Sequence, residues 1–385
     1  MSNSAKPKLF YQFLGSHSLL IGLLPFFLPV YLWGNGFNLA SLSLLIGISG
    51  CSFCVALSLW QWVAQRYSLK ILLVVCFALE LTLVASTFAA HHQLLAVLLI
   101  GIANGLYNGF FWTTQRTLFL QLLGANDAGK RYGNFQIFVT VFLKAGILLG
   151  GWLLQAGGLP WILLLSTLVG AASCWWFYKT ALSTPLYSEP RISLQSAITH
   201  KDKHRSTGVF VVDGFFLFLE SHYWTLSLFL LTEEHFSRFG VLVVVLALLF
   251  ALLFFLIKNT IDRTAITLVY QLAVVLYALS WAARMFASDE LSNHALLVLL
   301  LVITFCSSFF RLAFNKRFFD IAQKTSGVQY LLIKSYVSQL ALGAGFSATA
   351  AALYFSANTG AQVLTPLYLL ATVLAFMYLR YRVSV

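Results

Sequence analysis

A chain of 385 residues that is 60% hydrophobic and only 9% charged cannot hide its apolar surface in one soluble core, because soluble domains are about a quarter charged. The bilayer is its natural solvent. The formal net charge of +12 does not signal nucleic acid, since the Lys and Arg residues sit in short loops at alternate ends of apolar runs and form no basic arm or face.

Lys6 and Lys8 precede an apolar run from Phe10 to Trp33, too long for a signal-peptide core. It reads as a first span. On a ruler of roughly 20 helical residues per bilayer core, six spans are predicted near 9–34, 38–64, 70–90, 93–123, 132–156 and 160–180. Six more follow near 207–232, 239–257, 264–287, 293–318, 328–356 and 362–380. Between the sets, Ala181 to Ser206 carries Pro185, Pro190, Arg191, Lys201, Lys203 and Arg205. That composition marks a linker. The chain divides into a first bundle at 1–180, a linker at 181–206 and a second bundle at 207–385.

The loop charges orient the spans. Arg66, Lys70, Lys130, Arg131, Lys179, Lys258, Arg263, Lys316, Arg317, Lys324, Arg380 and Arg382 fall on the side of the linker. The other side holds Arg238 beside Glu233, Glu234, Asp289 and Glu290. The positive-inside rule then places the linker and both termini in the cytoplasm. Short external loops and the absence of an N-x-S/T sequon fit a bacterial inner membrane.

The five cysteines, Cys51, Cys54, Cys76, Cys174 and Cys306, all lie in apolar runs and read as packing residues. We expect no disulfide, no metal site and no cofactor. No Walker-type phosphate loop, metalloprotease motif or nucleophile elbow is present, which argues against ATP-driven transport and against an enzyme.

Ionisable groups inside spans cost about 3 kcal/mol each and mark functional paths or ion pairs. Here they are Glu80, Arg116, Lys144, Asp213, Glu220, Arg284, Arg311 and Lys334. In span 4, Asn104, Asn108, Trp112 and Gln115 share a face, with Arg116 at its edge. In span 7, Asp213, Glu220 and Trp224 do so. Span 10 aligns Thr304, Ser307, Arg311 and Asn315, and span 5 aligns Thr140, Lys144 and Gly151. Counted from the span ends, Lys144 and Glu220 lie near the midplane.

Six spans, a basic linker and six more spans resemble the plan of the major facilitator superfamily over the whole chain. After span 2, Arg66 and Lys70 match its signature between spans 2 and 3, while Gln61, Gln65, Ser68 and Leu69 replace the usual Gly, Asp, Gly and Arg. Gly129, Lys130 and Gly133, followed by Gly146, Gly150 and Gly151, resemble its Gly-rich fifth span without the proline of exporters. Gly343 and Gly345 take the corresponding place in span 11.

The resemblance implies an all-α membrane protein of twelve helices in two pseudo-symmetric six-helix bundles, working by alternating access. It also implies that spans 1, 4, 7 and 10 surround a central path, flanked by 2, 5, 8 and 11. On that plan, Asn104, Asn108, Trp112, Gln115, Arg116, Lys144, Trp224, Thr304 and Arg311 are expected to bind substrate. Asp213 and Glu220 are expected to couple protons, and Arg66 and Lys70 to gate. Glu80 and Arg284, on peripheral spans, read as structural partners, and His17 and His222 as packing groups. The expected activity is secondary, proton-coupled transport of a small anionic, zwitterionic or amphipathic solute by a monomer in the lipid bilayer. The competing reading is an integral-membrane enzyme or a flippase-like protein handling amphipathic lipids.

Overall fold

In lipid, backbone N–H and C=O groups have no water to bond, so long Leu-, Val- and Phe-rich runs must satisfy them within helices. The computed structural model describes residues 5–88, 93–122, 128–262, 266–288, 290–356 and 360–382, leaving aside the side chains of 5–7, 93, 122, 128–137, 253–262 and 266. The charges counted at Lys130, Arg131, Lys258, Arg263 and Asp289 therefore lie outside the described side chains.

The first predicted span is two helices, α1 (Ala5–Leu23) and α2 (Leu28–Gly34). They part around Pro25, which has no N–H to donate, and Pro29 sits in the first turn of α2. Then come α3 (Leu39–Arg66), α4 (Leu69–Ser86), α5 (Gln93–Leu122), α6 (Ala128–Gly157) and α7 (Leu159–Thr180). Asn38 caps α3, its side chain accepting from the Ser41 N–H at 2.9 Å. The linker contains one short helix, α8 (Leu194–Ile198).

The seventh span is composite: α9 (Ser206–Phe218), a π-helical turn (Leu219–Trp224) and α10 (Thr225–Leu230). It is followed by α11 (Phe236–Asp262), α12 (Ile266–Arg284), α13 (Asn293–Lys324) and α14 (Val328–Ser356). The last span is α15 (Leu364–Ala375) between two 3-10 turns. Among the described residues, nine stretches are long and apolar enough to cross a membrane. The other three predicted spans correspond to the composite seventh, to α11 and to α14, whose first half carries Tyr330, Lys334, Ser335, Ser338 and Gln339, all buried.

Helix packing repeats between the halves. In the first, α1 lies against α6, and α4 lies against α5 and α7; in the second, α9 lies against α14, and α12 against α13 and α15. The halves meet along α3–α14 and α6–α11. Glycines make the tightest of these seams. A Cβ on Gly22 would come 2.5 Å from the Leu143 carbonyl oxygen, and Gly146 and Gly150 leave no more room against α1. Backbones that touch this closely admit only hydrogen at Cα. The Gly-rich fifth span is thus a packing face toward α1, while Gly343 meets Gly47 and Cys51 at the seam between the halves.

Candidate functional site

Seven residues are almost two turns of helix, so Asp213 on α9 and Glu220 in the π turn that follows it project to the same side. Arg311 of α13 lies between them. Its Nη1 donates to Asp213 Oδ1 at 2.7 Å and its Nε donates to Glu220 Oε2 at 2.8 Å. A guanidinium has five N–H donors in a rigid fork, which is what sharing between two carboxylates requires. Asp213, only 1% exposed, is further held by Lys334 Nζ of α14 at 2.7 Å and by the Tyr378 hydroxyl at 2.8 Å. Arg311 Nη2 also reaches the Tyr277 hydroxyl at 3.4 Å.

Farther along the same cluster is Arg284, the last residue of α12. It donates to the Ser280 hydroxyl at 3.1 Å and to the Ser307 hydroxyl of α13 at 2.8 Å. Its guanidinium carbon lies 3.9 Å from the Trp281 ring centre and 4.9 Å from that of Trp224. Arg284, expected as a structural partner on a peripheral span, is held by hydroxyl and ring contacts. Among the described residues no carboxylate lies within ion-pair distance, and its side chain joins the central cluster.

In the first half the predicted polar face of α5 exists but is bonded largely to itself. Trp112 Nε1 donates to Asn108 Oδ1 at 2.8 Å, Asn108 Nδ2 to Asn104 Oδ1 at 2.7 Å, and Asn104 Nδ2 to the Ser49 hydroxyl of α3 at 2.8 Å. Gln115 is buried, whereas Asn108, Trp112 and Arg116 are partly accessible. Arg116 lies over the Trp112 ring at 5.7 Å. Lys144 on α6 is partly accessible and has no hydrogen bond or ion pair among the described residues. Thr304 donates to the Leu300 carbonyl of its own helix at 2.7 Å.

Glu80 of α4 is buried beside His17 of α1 and Tyr107 of α5. His17 Nδ1 lies 2.8 Å from Glu80 Oε2, and the Tyr107 hydroxyl lies 3.0 Å from His17 Nε2 and 3.4 Å from Glu80 Oε1. Phe13, Phe77 and Phe111 surround this group. It joins α1, α4 and α5 through Glu80 and gives His17 a polar partner.

The residues expected to gate behave differently from an ion-pair gate. Arg66 lies over the Trp62 ring at 5.2 Å and Lys70 over Tyr178 at 5.7 Å. Gln61 and Gln65, the departures from the signature, hold the linker instead. Gln61 accepts from the Ile192 N–H at 2.7 Å and donates to the Tyr336 hydroxyl of α14 at 3.1 Å. Gln65 accepts from Arg191 Nε and donates to the Glu189 carbonyl, both at 2.7 Å. The end of the molecule nearest the linker is therefore fastened by hydrogen bonds of side-chain amides that join α3, α14 and the linker.

Among the described residues no three His, Cys, Asp or Glu side chains cluster as metal ligands would. The arrangement instead places paired charges on helices of the second half and a partly accessible polar face on α5 of the first.

No curated protein matches the chain. Solved structures do, along nearly its whole length. A point mutant of the nucleoside transporter NupG superposes with a TM-score of 0.68 at 15% identity, covering 97% of this chain and 100% of that one. A POT family transporter in complex with a thioalcohol-conjugated peptide gives 0.64 at 12% identity, covering 96% and 94%. The human organic anion transporter MFSD10 gives 0.58 at 15% identity, covering 96% and 98%. At such identities the likeness shows the fold alone. The sequence pattern of the Major Facilitator Superfamily matches residues 14–366, and with the helices and the buried charge cluster in place, the chain belongs to that superfamily and is a membrane transporter rather than an enzyme.

Proposed function

We propose that the protein is a proton-coupled secondary transporter of a small organic solute, working by alternating access, with the proton carried on Glu220. One observation carries this reading. Arg311 is shared between two carboxylates of unequal commitment: both oxygens of Asp213 are engaged, whereas Glu220 Oε1 is buried without a hydrogen-bond partner among the described residues. A proton added there neutralises Glu220 and frees one side of Arg311, leaving the Asp213 pair intact. The switch thus has two states with different contacts, as a coupled transition needs.

Substrate would meet Asn108, Trp112, Arg116 and Lys144 on the first half and Trp224 and Arg311 on the second. The loop-charge asymmetry supports both termini in the cytoplasm, and the short external loops without a sequon support a bacterial inner membrane. A monomer is the working form in this reading, with no cofactor or metal.

The test uses purified protein in liposomes that enclose a pH-sensitive dye, challenged with organic acids, nucleosides and short peptides. At least one solute should drive proton movement on addition. Glu220→Gln should reduce that movement at least tenfold while solute-for-solute exchange continues. A Glu220→Gln protein that keeps full dependence on the pH gradient would refute the assignment.

A further inference from the structure

Among the described residues, the charge cluster that joins α9, α12, α13 and α14 does not balance. Along the cluster Lys334, Asp213, Arg311, Glu220 and Arg284, three cations stand against two carboxylates. The surplus falls on Arg284, which is 3% exposed and touches only neutral hydroxyls and indole faces. Its Nε has no hydrogen-bond partner among the described residues. Glu220 is the carboxylate within electrostatic reach, and its paired oxygen is already bound to Arg311.

A lysine so placed could lose its proton. An arginine cannot, and a buried charge without a counter-charge is strongly unfavourable. Hydroxyls and ring faces offset part of that cost; a negative group would offset the rest. The unpartnered Nε is one arm of the side-on fork with which arginine grips a carboxylate. Trp224, on the helix that carries Glu220, flanks the guanidinium and could take the flat or apolar body of the same molecule.

We propose that Arg284, with Ser307 and Trp224, is the docking point for the carboxylate of the cargo, which is a small organic monoanion. This rests on the transporter reading above and narrows its substrate class. A neutral or cationic cargo would leave the surplus charge standing.

The experiment is an equilibrium measurement on the full-length protein in detergent, independent of proton movement. Thermal unfolding is followed with sodium benzoate, sodium acetate, their neutral amides benzamide and acetamide, and sodium chloride. Benzoate or acetate should raise the melting temperature saturably, and the amides should not. Arg284→Gln should abolish the response, Arg284→Lys should weaken the affinity at least tenfold, and Ser307→Ala should weaken it several-fold. If Arg284→Gln does not fold, the other two variants decide the matter. The proposal is overturned if neither acid stabilises the wild type, if amide or chloride does so equally well, or if the folded variants respond as wild type does. Failure of the coupling reading looks different: benzoate would bind through Arg284 while no solute moved protons in liposomes. Proton movement with unchanged binding in the Arg284 variants would be the converse result.

Discussion

Asp213→Asn should destabilise the protein by about 3–5 kcal/mol, the usual cost of stripping a buried ion from its partner, and adding Lys334→Gln should return most of that loss. Asp213 is the counter-charge for both Lys334 and Arg311 and accepts from Tyr378. Asparagine keeps the shape and removes the charge, so the Lys334 ammonium is left buried without its partner. Neutralising Lys334 as well removes the stranded cation, and Arg311 keeps Glu220 at 2.8 Å. Lys334→Gln alone should be milder than Asp213→Asn, because Asp213 retains Arg311 and Tyr378. Denaturation of the two single variants and the double variant forms a mutant cycle. Additive losses would show that the pair is not coupled energetically.

The second large effect is expected in the other half. Glu80→Ala removes the group that His17 and Tyr107 share and leaves a void among Phe13, Phe77 and Phe111. The combined loss of a buried polar partner and of packing should reach about 3–5 kcal/mol. Glu80→Gln preserves volume and hydrogen bonding and should cost only about 1–2 kcal/mol. If the cluster is structural, the folded Glu80→Gln protein transports with an unchanged pH dependence. A stable Glu80→Gln protein that fails to transport would show that this group takes part in the transport cycle.

How legible all this was from sequence depends on the distance over which each feature acts. The pairing of Asp213 with Glu220 follows from seven-residue spacing, and the ladder of Asn104, Asn108 and Trp112 from spacing of four. Both are local and were readable. Its span makes Arg284 peripheral, yet position within a bundle does not fix where a long side chain ends. Arg284 crosses to Ser307 on the next helix and to Trp224 on another.

The roles of Gln61 and Gln65 were hidden for a different reason. Their departure from the family signature was visible, but their partners lie 131 and 275 residues away for Gln61 and 126 for Gln65. No periodicity reaches that far. The break in the first span had a readable cause in Pro25 and Pro29. The π turn had none, since residues 219–224 contain neither glycine nor proline.

That π turn makes chain length itself part of the site. A wider turn accommodates extra backbone, so losing a single residue between Leu219 and Trp224 would let the helix close to ordinary α geometry. Six residues of the wider π turn sweep nearly the same angle about the axis as five α-helical residues at roughly 100° each, so Thr225–Leu230 would keep their facing relative to Asp213. A deletion within Ser206–Phe218, where no wide turn absorbs it, would instead swing Glu220 and Trp224 by roughly 100° relative to the start of the helix, although every residue type in the cluster had been kept. A one-codon deletion inside the π turn should therefore disturb the cluster less than one in the regular helix before it: the site is written in a count as well as in identities.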